Sequence, residues 1–213
     1  MKAFIITFNR LLYTINLAKQ LEGYGCEVII VDNHSTYKPL LKWLKLCKYD
    51  VYPMPENYNS QVLLKSGLLN QFSDKYFIMT DCDLDISKLP DDWISILLGG
   101  LAMVPEAKKA GLSLEINDLP KNKYTKKVIE HCSRYWENRC EAHPKFFHAD
   151  IASTLAVYDR DKLHLHDCIR SDRPYTARHL DWYKRKLNAE DLNYIATSTH
   201  YGWLHELQNT FNT

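Results

Sequence analysis

Asp81, Asp83 and Asp85 alternate with Cys82 and Leu84 just beyond an apolar run at residues 76–80. In an extended chain successive side chains point to opposite faces, so Asp81 and Asp83 can share one. Two carboxylates held side by side repel unless a cation or a shared proton relieves them. Hard oxygen ligands suit Mg²⁺ or Mn²⁺, which retain waters and accept phosphate oxygens as further ligands. A nucleoside diphosphate completes such a site, with the metal acting as a Lewis acid on the departing diphosphate. The plain alternative is a solvated acidic turn ahead of the helix that Pro90 opens, because an isolated Asp-x-Asp is a weak signal.

A second concentration of polar residues lies at 169–182. Arg170, Arg173 and Arg178 surround Asp172 and Pro174, and a guanidinium matches phosphate with two parallel hydrogen bonds. The bland reading is a surface ion-pair loop. His179 is a candidate third metal ligand, since neutral imidazole serves Mn²⁺. Asp150, Asp172 and Asp181 are candidate general bases for an acceptor hydroxyl; each is also the kind of residue that hydrogen-bonds within a loop. Trp136, Trp182 and Tyr183 can form a sugar platform or pack in a core.

The elements that position these groups follow from the apolar pattern. Residues 3–8, 27–31 and 76–80 read as buried strands, 50–54 as a weaker one and 112–116 as a fifth. Leu11, Ile15, Ala18 and Leu21 recur at helical spacing, and Gly23 and Gly25 end that helix. Further helices are expected from Pro39, across 59–72, after Pro90 with Gly99-Gly100 weakening it, from Tyr124, and over 189–196. Residues 146–148 and 154–158 read as short strands, and 169–182 as a functional loop. The βα rhythm predicts an α/β fold with a mostly parallel sheet flanked by helices. In such sheets ligands bind at the carboxyl ends of strands, so Asn9-Arg10, Asp32-Asn33 and Asp81–Asp83 are expected to share one crevice. For Asp32 the alternative is a strand end that caps the next helix.

With these motifs in order, the first half resembles a GT-A glycosyltransferase of the family 2 type. Thr7-Phe8-Asn9-Arg10 matches the segment that lies against the nucleotide base, and Asp32 in Val31-Asp32-Asn33-His34-Ser35 matches the acidic residue that recognises uracil or ribose. Asn57-Tyr58-Asn59 and Lys65-Ser66-Gly67 are a degenerate form of the family's paired Asn-x-Gly pattern, with Lys65 where base or phosphate is contacted. Asp81-Cys82-Asp83 matches the Asp-x-Asp after the fourth strand. The stretches 148–158 and 169–183 are similar to a compact bacterial and viral branch, closest to the glycosyltransferase domains of large chlorella viruses. Two departures stand out: the glycines after Asn57 are absent, and Ala152 stands where the branch often carries Asp.

The resemblance covers nearly the whole chain. It implies a GT-A fold with a Rossmann-like central sheet and a smaller mixed acceptor-side part. It implies one domain over 1–213, with residues 1–143 as the nucleotide-sugar and metal half and 144–213 as the acceptor half, possibly cut from a longer polypeptide. Thr7, Asn9, Arg10, Asp32, Lys65, Asp81, Cys82, Asp83, Arg170 and Arg178 would contact a UDP-sugar. Asp81 and Asp83, with His179 or the late His200, would hold Mn²⁺ or Mg²⁺. The reaction would move a hexose or deoxyhexose to a sugar hydroxyl of a glycan acceptor.

Composition sets the outer limits. The chain has 213 residues, of which 46% are hydrophobic and 25% charged, enough for a full core. A net charge of +1 gives no global field to recruit nucleic acid or anionic membrane. No apolar stretch approaches the ~20 residues of a membrane span. The six cysteines form no Cys-x-x-Cys pair and read as reduced thiols in a cytoplasmic protein, host cytoplasm if the chain is viral. Two rival classes remain: a sugar nucleotidyltransferase, disfavoured because Asn9-Arg10-Leu11-Leu12 lacks a Gly-rich loop, and a non-catalytic nucleotide- or carbohydrate-binding module on the same fold.

Overall fold

A computed structural model describes residues 1–151, 154–163, 167–198 and 202–211. The first half alternates β1 (Lys2–Thr7), α1 (Leu11–Gly23), β2 (Glu27–Asp32), α2 (Lys38–Leu44), β3 (Asp50–Pro53), the single turn α3 (Val62–Lys65) and β4 (Tyr76–Asp81). It continues through β5 (Leu84–Asp85), α4 (Trp93–Met103), β6 (Lys109–Gly111), β7 (Ser113–Leu114) and α5 (Lys123–Cys132). The rest comprises β8 (Phe146–His148), β9 (Ala156–Asp159), β10 (Cys168–Ser171), β11 (Thr176–His179), α6 (Ala189–Thr197) and α7 (Trp203–Phe211).

Eight strands form the main sheet in the order β3-β2-β1-β4-β9-β6-β10-β8. β3, β2, β1 and β4 run parallel, β9 runs against both β4 and β6, β10 is parallel to β6, and β8 closes the edge antiparallel. The central strands are continuous apolar runs because both their faces are covered. Ala3, Ile5, Ile30 and Ile78 pack in one core with Leu17 and Leu21 of α1 and Trp93 and Leu97 of α4. Phe4, Ile6, Val31, Phe77 and Met79 pack in the other with Val62 and Leu63 of α3. The parallel register places Thr7 beside Asp32 and Ile6 beside Asp81, so the expected polar strand ends share one edge.

Several expectations are corrected. The helix expected over 59–72 is broken: Gly67 has φ +72°, which stops α3 after one turn, and two short 3₁₀ turns flank it. Of the strand expected at 112–116 only Ser113–Leu114 forms, as β7 of a small three-stranded sheet ordered β5-β11-β7, while the main-sheet strand β6 lies just before that range. The stretch 169–182, expected as a loop, contains β10, β11 and a 3₁₀ turn at Leu180–Tyr183. α7 was not expected; Leu204 and Leu207 bury it against the core. Gly99-Gly100 do not interrupt α4. Gly100 instead admits the ring of Phe146, which would lie 2.6 Å from a Cβ at that position.

β9, from beyond residue 144, lies between β4 and β6 of the first half, so strands from both parts of the sequence interleave. None of the six cysteines is in a disulfide. Among the described residues no helix is long and apolar enough to cross a membrane.

Candidate active site

β11 is the element that assembles the site. It pairs antiparallel with β5, setting His179 opposite Leu84 and Arg178 opposite Asp85, and Leu180 N donates to Asp83 O at 2.8 Å. This brings His179 onto the segment that follows β4. His179 Nε2 lies 3.4 Å from Asp83 Oδ2. Asp181, two residues on, joins them: Asp83, His179 and Asp181 each offer one ligand atom, all within 4.8 Å of one another. The His179 ring lies flat on Trp182, with centroids 4.8 Å apart and planes at 5°.

The donor set suits a hard or borderline divalent cation. Asp83 and Asp181 bring two negative charges close together, which a cation relieves. The 3.4 Å between His179 and Asp83 is long for an N–H···O bond. His179 Nδ1 is buried with no hydrogen-bond partner among the described residues, so no protein contact there fixes the tautomer. Asp181 is already oriented: its Oδ1 accepts from Arg10 Nη2 at 2.6 Å and from Tyr13 OH at 2.8 Å, which leaves Oδ2 for the cluster. Such outer hydrogen bonds fix the orientation of a ligating carboxylate.

A cavity of about 210 Å³ opens on this cluster. Asp81, Asp83, His179 and Arg170 line its polar side, and Tyr135, Trp182 and Trp203 its aromatic side. Asp81 thus reaches the cavity without joining the three-residue group.

The residues expected to hold the nucleoside are buried and bonded within the protein. Thr7 Oγ1 lies 2.6 Å from Thr14 Oγ1. Asn9, at φ 56°, accepts from Thr36 N and Tyr37 N and donates to Thr197 Oγ1 at 2.8 Å. Arg10 is shared between Asp181 and Asp191 Oδ1, the latter at 3.1 Å, and lies over the rings of Tyr13 and Tyr194. Burial works against its charge, but Asp181 and, more weakly, Asp191 hold its pKa above the ordinary value. Asp32 Oδ1 accepts from Ser35 N at 3.0 Å, and Asn33 braces the following loop through Asn57 Oδ1 and Tyr58 N.

The other expected residues scatter. Lys65 is exposed on α3. Cys82 is buried, and burial pushes its thiol pKa up. Arg178 pairs with Asp118, and Asp172 with Arg139 Nη2 at 2.8 Å. Asp150 is exposed, and its carbonyl accepts from Arg170 Nε at 2.6 Å. His200 and Ala152 lie outside the described residues.

Asp181, expected as a candidate base, is placed by the structure beside Asp83 and His179, in a group that could hold a metal ion. The signal was present: His179-x-Asp181 repeats the alternation of Asp81-x-Asp83. Tyr13, Glu190 and Asp191 carried no such signal, because their partners lie far off in the chain. Glu190 Oε2 accepts from Leu11 N and Leu12 N, capping the start of α1 from the other end of the sequence.

No family model matches the chain, and no curated protein does. Solved structures give distant likenesses. Glucosyl-3-phosphoglycerate synthase from Mycobacterium tuberculosis, in complex with phosphoglyceric acid, aligns with TM-score 0.46 and 14% identity over 75% of this chain and 56% of that one. S. aureus TarS 1-349 aligns with TM-score 0.47 and 13% identity over 84% and 60%. A CMP:2-keto-3-deoxy-manno-octonic acid synthetase with CTP aligns with TM-score 0.43 and 9% identity over 75% and 74%. This chain therefore spans less than two thirds of the length of the first two.

Proposed function

We propose that this chain is a divalent-metal-dependent glycosyltransferase that moves a hexose or deoxyhexose from a UDP-sugar to a sugar hydroxyl of a glycan. The observation that carries the reading is the meeting of Asp83, His179 and the buried Asp181 beside a cavity that Asp81, Asp83 and His179 line, at the carboxyl end of a central parallel strand. Asp83, His179 and Asp181 would hold Mn²⁺ or Mg²⁺, with Asp81 beside them. When bound, that ion offsets the charge developing on the departing nucleoside diphosphate.

The chain's own residues supply the rest. Asp32, at the end of β2 and ordered by Ser35 N, is the proposed nucleoside contact. The loop that Asn33 braces through Asn57 and Tyr58 shapes the same end. Arg10 and Tyr13 hold Asp181 in place, so Asp181 acts in this reading as a ligand and not as a base. Asp172 is held by Arg139. Asp150, exposed beside Arg170, is the proposed base for the acceptor hydroxyl.

Calorimetry with UDP and Mn²⁺ tests the reading. Wild type is expected to bind UDP only with the metal, and Asp83→Ala to lose that binding; metal-independent binding, or none, removes the mechanism. Assay of a UDP-sugar panel for released UDP then tests turnover. Pyrophosphate release from UTP and a sugar phosphate would instead support the nucleotidyltransferase rival.

A further inference from the structure

Three arginines from the 169–182 stretch meet different fates. Arg173 donates Nε and Nη2 to Glu115, and Arg178 is paired with Asp118. Arg170 is 3% exposed, yet no carboxylate among the described residues pairs with it and none of their groups accepts from its two terminal nitrogens. Its Nε donates to Asp150 O, and its guanidinium lies 4.2 Å over the Tyr135 ring. Burial lowers its pKa, and the nearby Asp150 carboxylate offsets this only weakly. A desolvated cation without a counter-ion is costly unless something completes it.

The place of Arg170 in the sheet indicates what completes it. β10 lies three strand spacings from β4, about 14 Å, on the side away from β1 and β2. On the reading proposed above, the nucleoside sits over β1 and β2 and the diphosphate at the end of β4. Arg170 then lies beyond the metal cluster, where the transferred sugar meets its acceptor. Tyr135 covers one face of the guanidinium, leaving an edge that matches a carboxylate or phosphate with two parallel bonds. Trp203, only half-buried, adds aromatic surface to the same cavity, suited to a pyranose face.

We infer that Arg170 receives an anionic group, carboxylate or phosphate, carried by the acceptor saccharide, so that this enzyme extends an acidic glycan. The rival source of the same chemistry is the donor's own diphosphate, and the experiment separates them.

Protein loaded with UDP and Mn²⁺ is titrated calorimetrically with methyl β-D-glucuronide, glucose 6-phosphate and methyl β-D-glucoside. At least one anionic probe is expected to bind about tenfold tighter than the neutral glucoside. Arg170→Gln is expected to abolish that preference, and Arg170→Lys to retain part of it, with UDP affinity within about twofold of wild type in both. Equal binding of all three probes to wild type overturns the inference, as does a preference that survives in Arg170→Gln. A loss of about tenfold in UDP affinity with the acceptor preference intact also overturns it, assigning the guanidinium to the donor. Should Arg170→Gln not fold, the wild-type comparison and Arg170→Lys decide. If wild type binds no UDP but still prefers the anionic sugars through Arg170, the anion site stands and the transferase reading falls.

Discussion

Arg10 Nη2 donates to Asp181 Oδ1 at 2.6 Å, joining the residue that precedes α1 to the turn after β11 across 171 positions of sequence. Both side chains are almost fully buried, and Asp191 accepts from the second arm of the same guanidinium. The turn that carries Asp181 is thereby fastened to the start of α1. Breaking a buried pair by removing one partner leaves an uncompensated charge and costs about 3–5 kcal/mol. Arg10→Ala is expected to lose stability on that scale in urea denaturation. The double variant Arg10→Ala/Asp181→Ala is expected to lose less than the sum of the two single losses, because each single change leaves the other member of the pair buried without it and the double variant leaves neither. Additive losses would show that the two residues act independently.

The same fastening has a consequence for metal affinity. Tyr13 OH is the second donor to Asp181 Oδ1, and it touches none of the other proposed ligands. Hydrogen bonds of this outer kind are worth about 10–100-fold in metal affinity. Tyr13→Phe is expected to weaken Mn²⁺ binding by that factor, measured calorimetrically, while Asp83→Asn removes a ligand outright and abolishes it. Asp85→Asn is the control. Asp85 extends the acidic alternation of the sequence, but its Oδ1 accepts from Ser87 N in a turn and it lies outside the cluster. Equal losses for Asp85→Asn and Asp83→Asn would mean a diffuse acidic surface and not a built site.

These pairs mark how far the sequence could be read. β1, β2 and β4 were legible because strands covered on both faces must be apolar throughout, and their polar ends follow from where the apolar run stops. β10 and β11 were not legible. Arg170, Arg178 and His179 interrupt any apolar pattern there, and β11 is held by only two paired positions with each of β5 and β7. The approach of His179 to Asp83 depends on that short pairing, and no local pattern encodes a contact between residues so far apart. Arg10 was read as a ligand contact because a polar residue at a strand end is ambiguous: the pattern places it at the edge but does not say whether solvent, ligand or Asp181 receives it.

The two adjacent glycines of α4 separate helix propensity from packing. A Cβ at Gly99 would meet nothing within 4 Å, so Gly99→Ala gains helix propensity alone and is expected to stabilise by about 0.5–1 kcal/mol. A Cβ at Gly100 would lie 2.6 Å from Phe146 Cζ and 3.0 Å from Ile169 Cδ1, side chains of β8 and β10. Gly100→Ala is expected to cost about 1–3 kcal/mol through overpacking. Urea midpoints of the two variants should therefore move in opposite directions. A stabilising Gly100→Ala would mean that Phe146 can swing away at little cost.

Lys109 is 1% exposed within β6, and its Nζ donates to Ile151 O at 3.0 Å and to Tyr158 OH at 3.4 Å, with no carboxylate paired to it among the described residues. Burial holds its pKa below the ordinary value of 10.5. In the unfolded chain the amine keeps that ordinary value, so between the two the unfolded state binds more protons. Stability then rises with pH through the window, by the linkage between proton uptake and unfolding. Below the folded value the cost of burying the charge is present in full; above 10.5 it is gone. Lys109→Met removes the charge while keeping most of the apolar stem, one atom shorter. It is expected to be more stable than wild type at neutral pH by about 1–2 kcal/mol, with the gap closing as pH climbs toward 10.5. Urea denaturation of both proteins across that range gives the difference directly, free of the tyrosines and cysteines that titrate in each. A variant less stable than wild type at neutral pH, with a constant gap at higher pH, would show that the two hydrogen bonds of Nζ outweigh the cost of its charge.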